Sequence, residues 1–183
     1  MRADVEALRV GMTDGALRLE PLAEAHRAGL AAACAADTAI WDIYPSDWSP
    51  VGFDLNFNDV LAATNRIPFA ILSEGRVVGM SSYLNPSAVH GSTEIGGTYL
   101  APQARGTGIN ARFKRLMLNR ATAAGFHRIE FRVDTRNTRS MAAVEKLGAT
   151  REGILRRHMV TWTGHVRDTA LYALFIDEAD EPA

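Results

Sequence analysis

Cysteine is nearly absent from this chain. Cys34 is the only one in 183 residues, so no internal disulfide can form, and no Cys/His cluster offers ligands to a metal. Its neighbours, AAACAAD, are those of a small buried helix residue rather than a nucleophile. Long apolar runs are also missing. Nothing approaches the roughly 20 apolar residues of a membrane-crossing helix, and the opening MRADVEALRVG carries acids where a secretory signal has an apolar core. The expectation is a cytoplasmic protein with no membrane partner. Nor is one sign of charge in excess. Lys+Arg number 20 and Asp+Glu 21, for a net charge of −1, which gives the chain as a whole no attraction to nucleic acid. Repeats and low-complexity tracts are absent. What remains is an ordinary globular composition, 47% hydrophobic and 22% charged, at a length that suits one domain over 1–183 with its core at about 16–177.

Periodicity divides that length into alternating elements. ALRLEPL (16–22) alternates as a strand, and AEAHRAGLAAACAAD (23–37) is rich in helix formers. TAIWDIYPSDWSPVGFD (38–54) has no clean period and reads as an aromatic loop; LNFNDVLAATN (55–65) reads as a short helix. IPFAILSE and RVVGMSSYL read as strands joined by a tight turn at Glu74-Gly75. TEIGGTYL (93–100) is a strand with two interior glycines, a mark of a bulge or of close backbone approach. A helix from Asn110 to about Ala124 follows, capped by Gly125, then a strand at 128–135, a helix at 136–148, and two long strands at 149–160 and 167–177 around the turn TWTGH. The order β-α-α-β-β-β-α-β-α-β-β predicts an α/β (α+β) fold whose mixed, mostly antiparallel sheet of about seven strands is flanked by helices.

One stretch between a strand and a helix asks for more than a turn. QARGTGIN (103–110) lacks the Gly-Lys-Ser/Thr end of a Walker A loop. It is a poor dinucleotide fingerprint, because Ala111 stands at the third glycine and no repeated βα unit follows. Glycines there let a backbone approach a diphosphate, with the N–H groups of the following helix aimed at it.

Gln103, Ala104, Arg105, Gly106, Thr107 and Gly108 fill the Gln/Arg-x-x-Gly-x-Gly/Ala pattern, which resembles the pyrophosphate loop of the GNAT N-acetyltransferases. The resemblance runs over about 16–177. It includes Gly96-Gly97 on the strand before the loop, Asn137 and Ser140 opening the next helix, Lys146-Leu147-Gly148 closing it, and a tail, LGATREGILRRHMVTWTGHVRDTALYAL, similar to the ribosomal-protein N-terminal acetyltransferase branch. It implies a GNAT fold splayed at an acetyl-CoA site, and transfer of acetyl to a primary amine by direct attack. The acceptor would be a polypeptide N-terminus or a small amine.

The resemblance also implies roles. Gln103, Arg105, Gly106, Thr107, Gly108, Ile109 and Asn110 would hold the phosphates, with Arg139 and Lys146 at the outer ones. Asn137 would reach the pantetheine amides, and strand N–H groups near Tyr99 and Leu100 would meet the thioester oxygen. Glu94 would serve as general base at the acceptor amine, and Ser140 would face the sulfur. Trp41 and Tyr44, with Trp48, would wall the acceptor site. Many family members place a tyrosine as acid for the leaving thiolate where this chain has Val144, and Ser140 would replace it in that role. That departure keeps a second reading open, a GNAT-fold protein that binds acyl-CoA with little or no turnover. The long closing strands are where a homodimer would pair.

Overall fold

The computed structural model describes residues 2–176, and the last residue of the expected closing strand, Asp177, lies outside them. Eight strands form one sheet: β1 (Met12–Asp14), β2 (Leu17–Pro21), β3 (Arg66–Ser73), β4 (Arg76–Ser87), β5 (Ser92–Leu100), β6 (Arg128–Asp134), β7 (Thr150–Val160) and β8 (Val166–Phe175). Their order is β1-β2-β3-β4-β5-β6-β8-β7, antiparallel throughout except where β5 meets β6. The helices are α1 (Arg27–Ala35), α2 (Phe53–Ala62), α3 (Ile109–Ala123) and α4 (Thr138–Glu145). The strand not expected from sequence is β1, three residues folded back on β2 through Gly15 and Ala16, with Gly15 at φ +60°. The Glu74-Gly75 turn forms as expected, both residues at positive φ, as a two-residue hairpin requires.

Each face of the sheet has its own core. On one, Phe113, Met117 and Ala121 of α3 and Val144 of α4 pack onto Ile71, Tyr83, Ile95 and Phe131. On the other, Leu30 and Cys34 of α1 and Phe53 and Phe57 of α2 pack with Trp41 and Trp48 onto Leu72, Met80 and Tyr99. The sequence period explains this division: apolar residues recur four apart on α3 and alternate on β3, so Ile71 serves one core and Leu72 the other.

The middle of the sheet is irregular in two linked ways. β5 pairs with β6 at only three positions, Ser92–Arg128, Thr93–Ile129 and Glu94–Glu130, after which β5 has no partner on that side while β6 stays paired to β8 through Asp134. β5 also carries a bulge against β4. Met80 pairs with Tyr99 and Ser82 with Gly96, so Gly97 and Thr98 together face Ser81. The extra residue inverts the alternation, sending Tyr99 to the α1 core and Thr98 to the α3 side.

Gly79 permits the close approach of β4 to the end of β5, since a Cβ there would lie 2.1 Å from the Tyr99 carbonyl oxygen. Backbone cannot swing away as a flexible side chain can. Gly79→Ala is expected to lower the denaturant midpoint by an amount worth roughly 1–3 kcal/mol, with little change in m value.

Candidate active site

Where β5 leaves β6, a cavity of about 860 Å³ opens. It is bounded by the parted strands, by the start of α3, by α4 and by the aromatic loop, and its size falls within the range of ligand pockets. Glu94, Leu100, Arg105, Gly106, Asn110, Asn137, Arg139, Ser140 and Tyr44 line it.

The Gly-rich turn is built as an open cradle. Gly106 and Gly108 have φ of +76° and +86°, a region that side chains resist, and a Cβ on either would meet nothing within 4 Å. Thr107 Oγ1 donates to Ala104 O at 2.8 Å and closes the turn from within. Gly108 is the N-cap of α3 and has no capping side chain, so the first N–H groups of α3 are left to another acceptor. Arg105 lines the cavity and is also held by the protein itself. Its Nε donates to Leu100 O at 2.8 Å and its Nη1 to Asp37 Oδ2 at 2.5 Å, which ties the turn to the end of β5 and to the chain after α1. Its Nη2 is buried with no partner among the described residues. Gln103 and Thr107 are exposed, and Ile109 packs toward the α3 core; these three and Gly108 do not line the cavity.

Ala101 N donates to Val78 O at 2.8 Å, on the β4 side. N–H groups alternate along a strand, so that of Tyr99 also turns to β4 and that of Leu100 turns to the opening. Of the two donor positions expected near here, Leu100 is the free one. The Tyr99 side chain is buried, its hydroxyl on Ala33 O at 2.7 Å.

Glu94 is only 8% exposed, and its Oε2 accepts from Arg132 Nη1 at 2.6 Å. Gly96 leaves room for it, as a Cβ there would come within 2.7 Å of Oε1. Burial raises the proton affinity of Glu94 above that of an ordinary carboxyl group, and the Arg132 guanidinium only partly offsets this. On the helix side, Asn137 caps α4 by accepting from Ser140 N at 3.0 Å, which fixes both residues at the cavity edge. Val144, in the place of the tyrosine acid, is buried in the core.

The aromatic loop divides against expectation. Trp41 is fully buried, with its ring centroid 4.5 Å from that of Tyr99, and does not line the cavity. It supports the wall rather than forming it. Tyr44 does line it, and its hydroxyl donates to Thr98 O on the bulge at 2.8 Å. Trp162, from the β7–β8 turn, pins the loop through Nε1 to Trp41 O at 2.8 Å. Arg167 and Asp168 are neighbours on a strand and so point apart. Arg167 Nε lies 3.9 Å from Asp134, while Asp168 accepts from Arg157 N at 2.7 Å.

Among the cavity residues that the sequence did not mark are Arg66 and Lys114, together with Arg132 and Asp134. Arg66 rests against Gly97, where a Cβ would strike it, and donates to Ser82 Oγ at 2.8 Å; burial lowers its pKa to about 10. Lys114, in the middle of α3, is 5% exposed and donates to Thr98 Oγ1 at 2.8 Å. A lysine beside an apolar helix stripe was the available signal for it. His158, beside the closing hairpin, also lines the cavity and pairs through Nδ1 with Thr169 Oγ1 at 3.1 Å.

A family model described as an acetyltransferase (GNAT) domain matches residues 16–150. Among solved structures, a probable GNAT-family acetyltransferase from Chromobacterium violaceum is similar at 27% identity over 96% of this chain and 90% of its own, with a TM-score of 0.87. A putative acetyltransferase from T. thermophilus is 30% identical over 90% of this chain and 88% of its own, with a TM-score of 0.81. Mycobacterium smegmatis RimJ in complex with CoA-disulfide shares the fold at 23% identity over 99% of this chain and 93% of its own, TM-score 0.81. No curated protein matches the chain significantly.

Arg132 is what restrains the proton affinity of Glu94. In Arg132→Met the Glu94 carboxyl is expected to titrate at higher pH than in the parent, read from its side-chain carbon shift by NMR. A lower or unchanged titration point contradicts the assigned cause.

Proposed function

The chain belongs to the GNAT acetyltransferase family, and on that premise we propose that it transfers an acetyl group from acetyl-CoA to a primary amine, on a polypeptide N-terminus or a small molecule, by direct attack in a ternary complex. One observation carries the reading: a strand parted from its neighbour beside a glycine turn whose Cβ positions face open space. The bound CoA-disulfide of the M. smegmatis protein, which shares this fold, supports it.

Acetyl-CoA brings the acetyl group as a thioester. Gly106, Gly108 and the first N–H groups of α3 hold its diphosphate, with Asn110 and Arg105 beside them and Arg139 further out. The edge of β5 takes the pantetheine as an added strand, and the Asn137 amide completes that contact. The N–H of Leu100 stabilises the thioester oxygen as charge gathers on it. Ser140 donates a hydrogen bond toward the sulfur. Glu94, with its raised proton affinity, takes the proton that the amine must lose. Tyr44 and Trp48 wall the acceptor side. The core position of Val144 favours one other reading, an acyl-CoA-binding protein without turnover.

Calorimetric titration with acetyl-CoA is expected to show binding by the parent and none by a folded Gly106→Trp variant; no binding by the parent overturns the proposal. With an acceptor found by release of free thiol, Glu94→Gln is expected to lose roughly 10²–10⁴-fold in kcat while keeping its affinity for acetyl-CoA. Binding without thiol release from any amine in the screen points to the non-catalytic reading.

A further inference from the structure

The acetyl-transfer reading leaves one buried charge in the cavity without a task. Lys114 lies on the sheet-facing side of α3 next to Phe113, 5% exposed, with Nζ 5.4 Å from the centroid of the Phe131 ring on β6. Its hydrogen bond goes to Thr98 Oγ1 at 2.8 Å, and that oxygen meets Ser81 Oγ at 2.8 Å. Among the described residues Lys114 makes no ion pair; Glu94, whose charge acts on it, is held by Arg132. Beside the two phenyl rings of Phe113 and Phe131, at 5.5 and 5.4 Å, two of the three ammonium hydrogens therefore have no hydrogen-bond acceptor among the described residues.

Such an arrangement is unfavourable for the empty protein. An ammonium group out of water and without a counter-ion is costly, and an apolar side chain of similar length would pack there more cheaply. Burial brings the Lys114 pKa down to about 7, against the pull of Glu94. A negative charge arriving in the cavity would reverse this balance. The diphosphate is a poorer fit for that charge: Lys114 is six residues beyond Gly108, roughly 9 Å along the helix axis from the cradle, and its Nζ is anchored at Thr98 on β5. Thr98 instead locates Nζ beside the bulge of β5, between Glu94 and the Leu100 N–H, where the acyl end belongs.

Resting on the acetyl-transfer reading, we propose that Lys114 is a further catalytic residue whose ammonium group faces the departing sulfur and gives it a proton. As the amine nitrogen bonds to the acetyl carbon, the carbon–sulfur pair moves onto sulfur. Sulfur takes a proton from Nζ, the amine loses one to Glu94, and exchange with solvent resets both groups. Ser140 orients the sulfur, and α4 brings no stronger acid, since Val144 is in the core. The bulge is then necessary to the chemistry as well as to the splay. Without the extra residue Thr98 would turn to the other face, and Nζ would lose its anchor.

The test needs no acceptor. CoA is bound to the parent, to Lys114→Met and to Lys114→Gln, which replaces the charge with a neutral donor, and thiolate absorbance is followed against pH. The bound thiol is expected to ionise about one pH unit or more lower in the parent than in either folded variant. With an acceptor in hand, both variants should lose roughly 10²-fold in kcat at near-constant KM for acetyl-CoA, and Lys114→Arg, which keeps the charge but has no proton to give, should not restore kcat. Equal thiol titration in the parent and the variants overturns this proposal alone. Failure of the parent to bind CoA overturns the acetyl-transfer reading and this proposal with it.

Discussion

Three residue pairs, Ser92–Arg128, Thr93–Ile129 and Glu94–Glu130, are all that join β5 to β6, and the rest of the molecule is arranged around their ending there. A strand in the middle of an eight-stranded sheet has backbone groups that need partners. On one side β4 supplies them through the bulge. On the other, from Ile95 onward, nothing in the sheet does, and the edge is open to a ligand that can behave as a strand. Family membership and this geometry agree: a long co-substrate with amide groups along its arm and a diphosphate at its end fits an open strand edge that runs into a glycine cradle.

Holding two strands apart inside a sheet takes support from every side. Arg105 ties the cradle to Leu100 and Asp37, Tyr44 grips the bulge at the Thr98 carbonyl, and Trp162 fixes the loop that carries Tyr44. The same wedge collects buried charge. Glu94 is paired with Arg132, but the side-chain hydrogen bonds of Arg66 and Lys114 go to hydroxyl groups alone among the described residues. These groups do little for the stability of the empty fold. Under the proposed acetyl transfer, their placement is that of a field prepared for an amine that loses a proton and a sulfur that gains one.

Much of this was legible in the sequence, and for identifiable reasons. Strands with clear alternation, such as ALRLEPL and RIEFRVDT, and turns with obligate glycines, such as Glu74-Gly75, formed where the pattern put them. The bulge at Gly97-Thr98, with Gly97 at positive φ, and the cradle at Gly106 and Gly108 follow from backbone needs that glycine alone meets cheaply. What could not be read depends on tertiary partners. Three residues are too few for period to reveal β1. Trp41 and Tyr44 are equivalent as sequence, and only packing against Tyr99 buries the first while the second reaches the cavity. Spacing could not show that Arg105 also bonds Asp37, 68 positions away, and Lys114 passes in the sequence as one polar residue of an amphipathic helix.

The central claim is that the free edge of β5 is a binding surface for acetyl-CoA. Amide hydrogen exchange of the protein with and without acetyl-CoA tests it most directly. Exchange over Ile95–Leu100 and over the start of α3 should slow together on addition, while the paired segment of β4 opposite Leu100 changes little. Slowing at the start of α3 with β5 unchanged would mean that the phosphates are held and the strand edge is not used, and it would contradict the account.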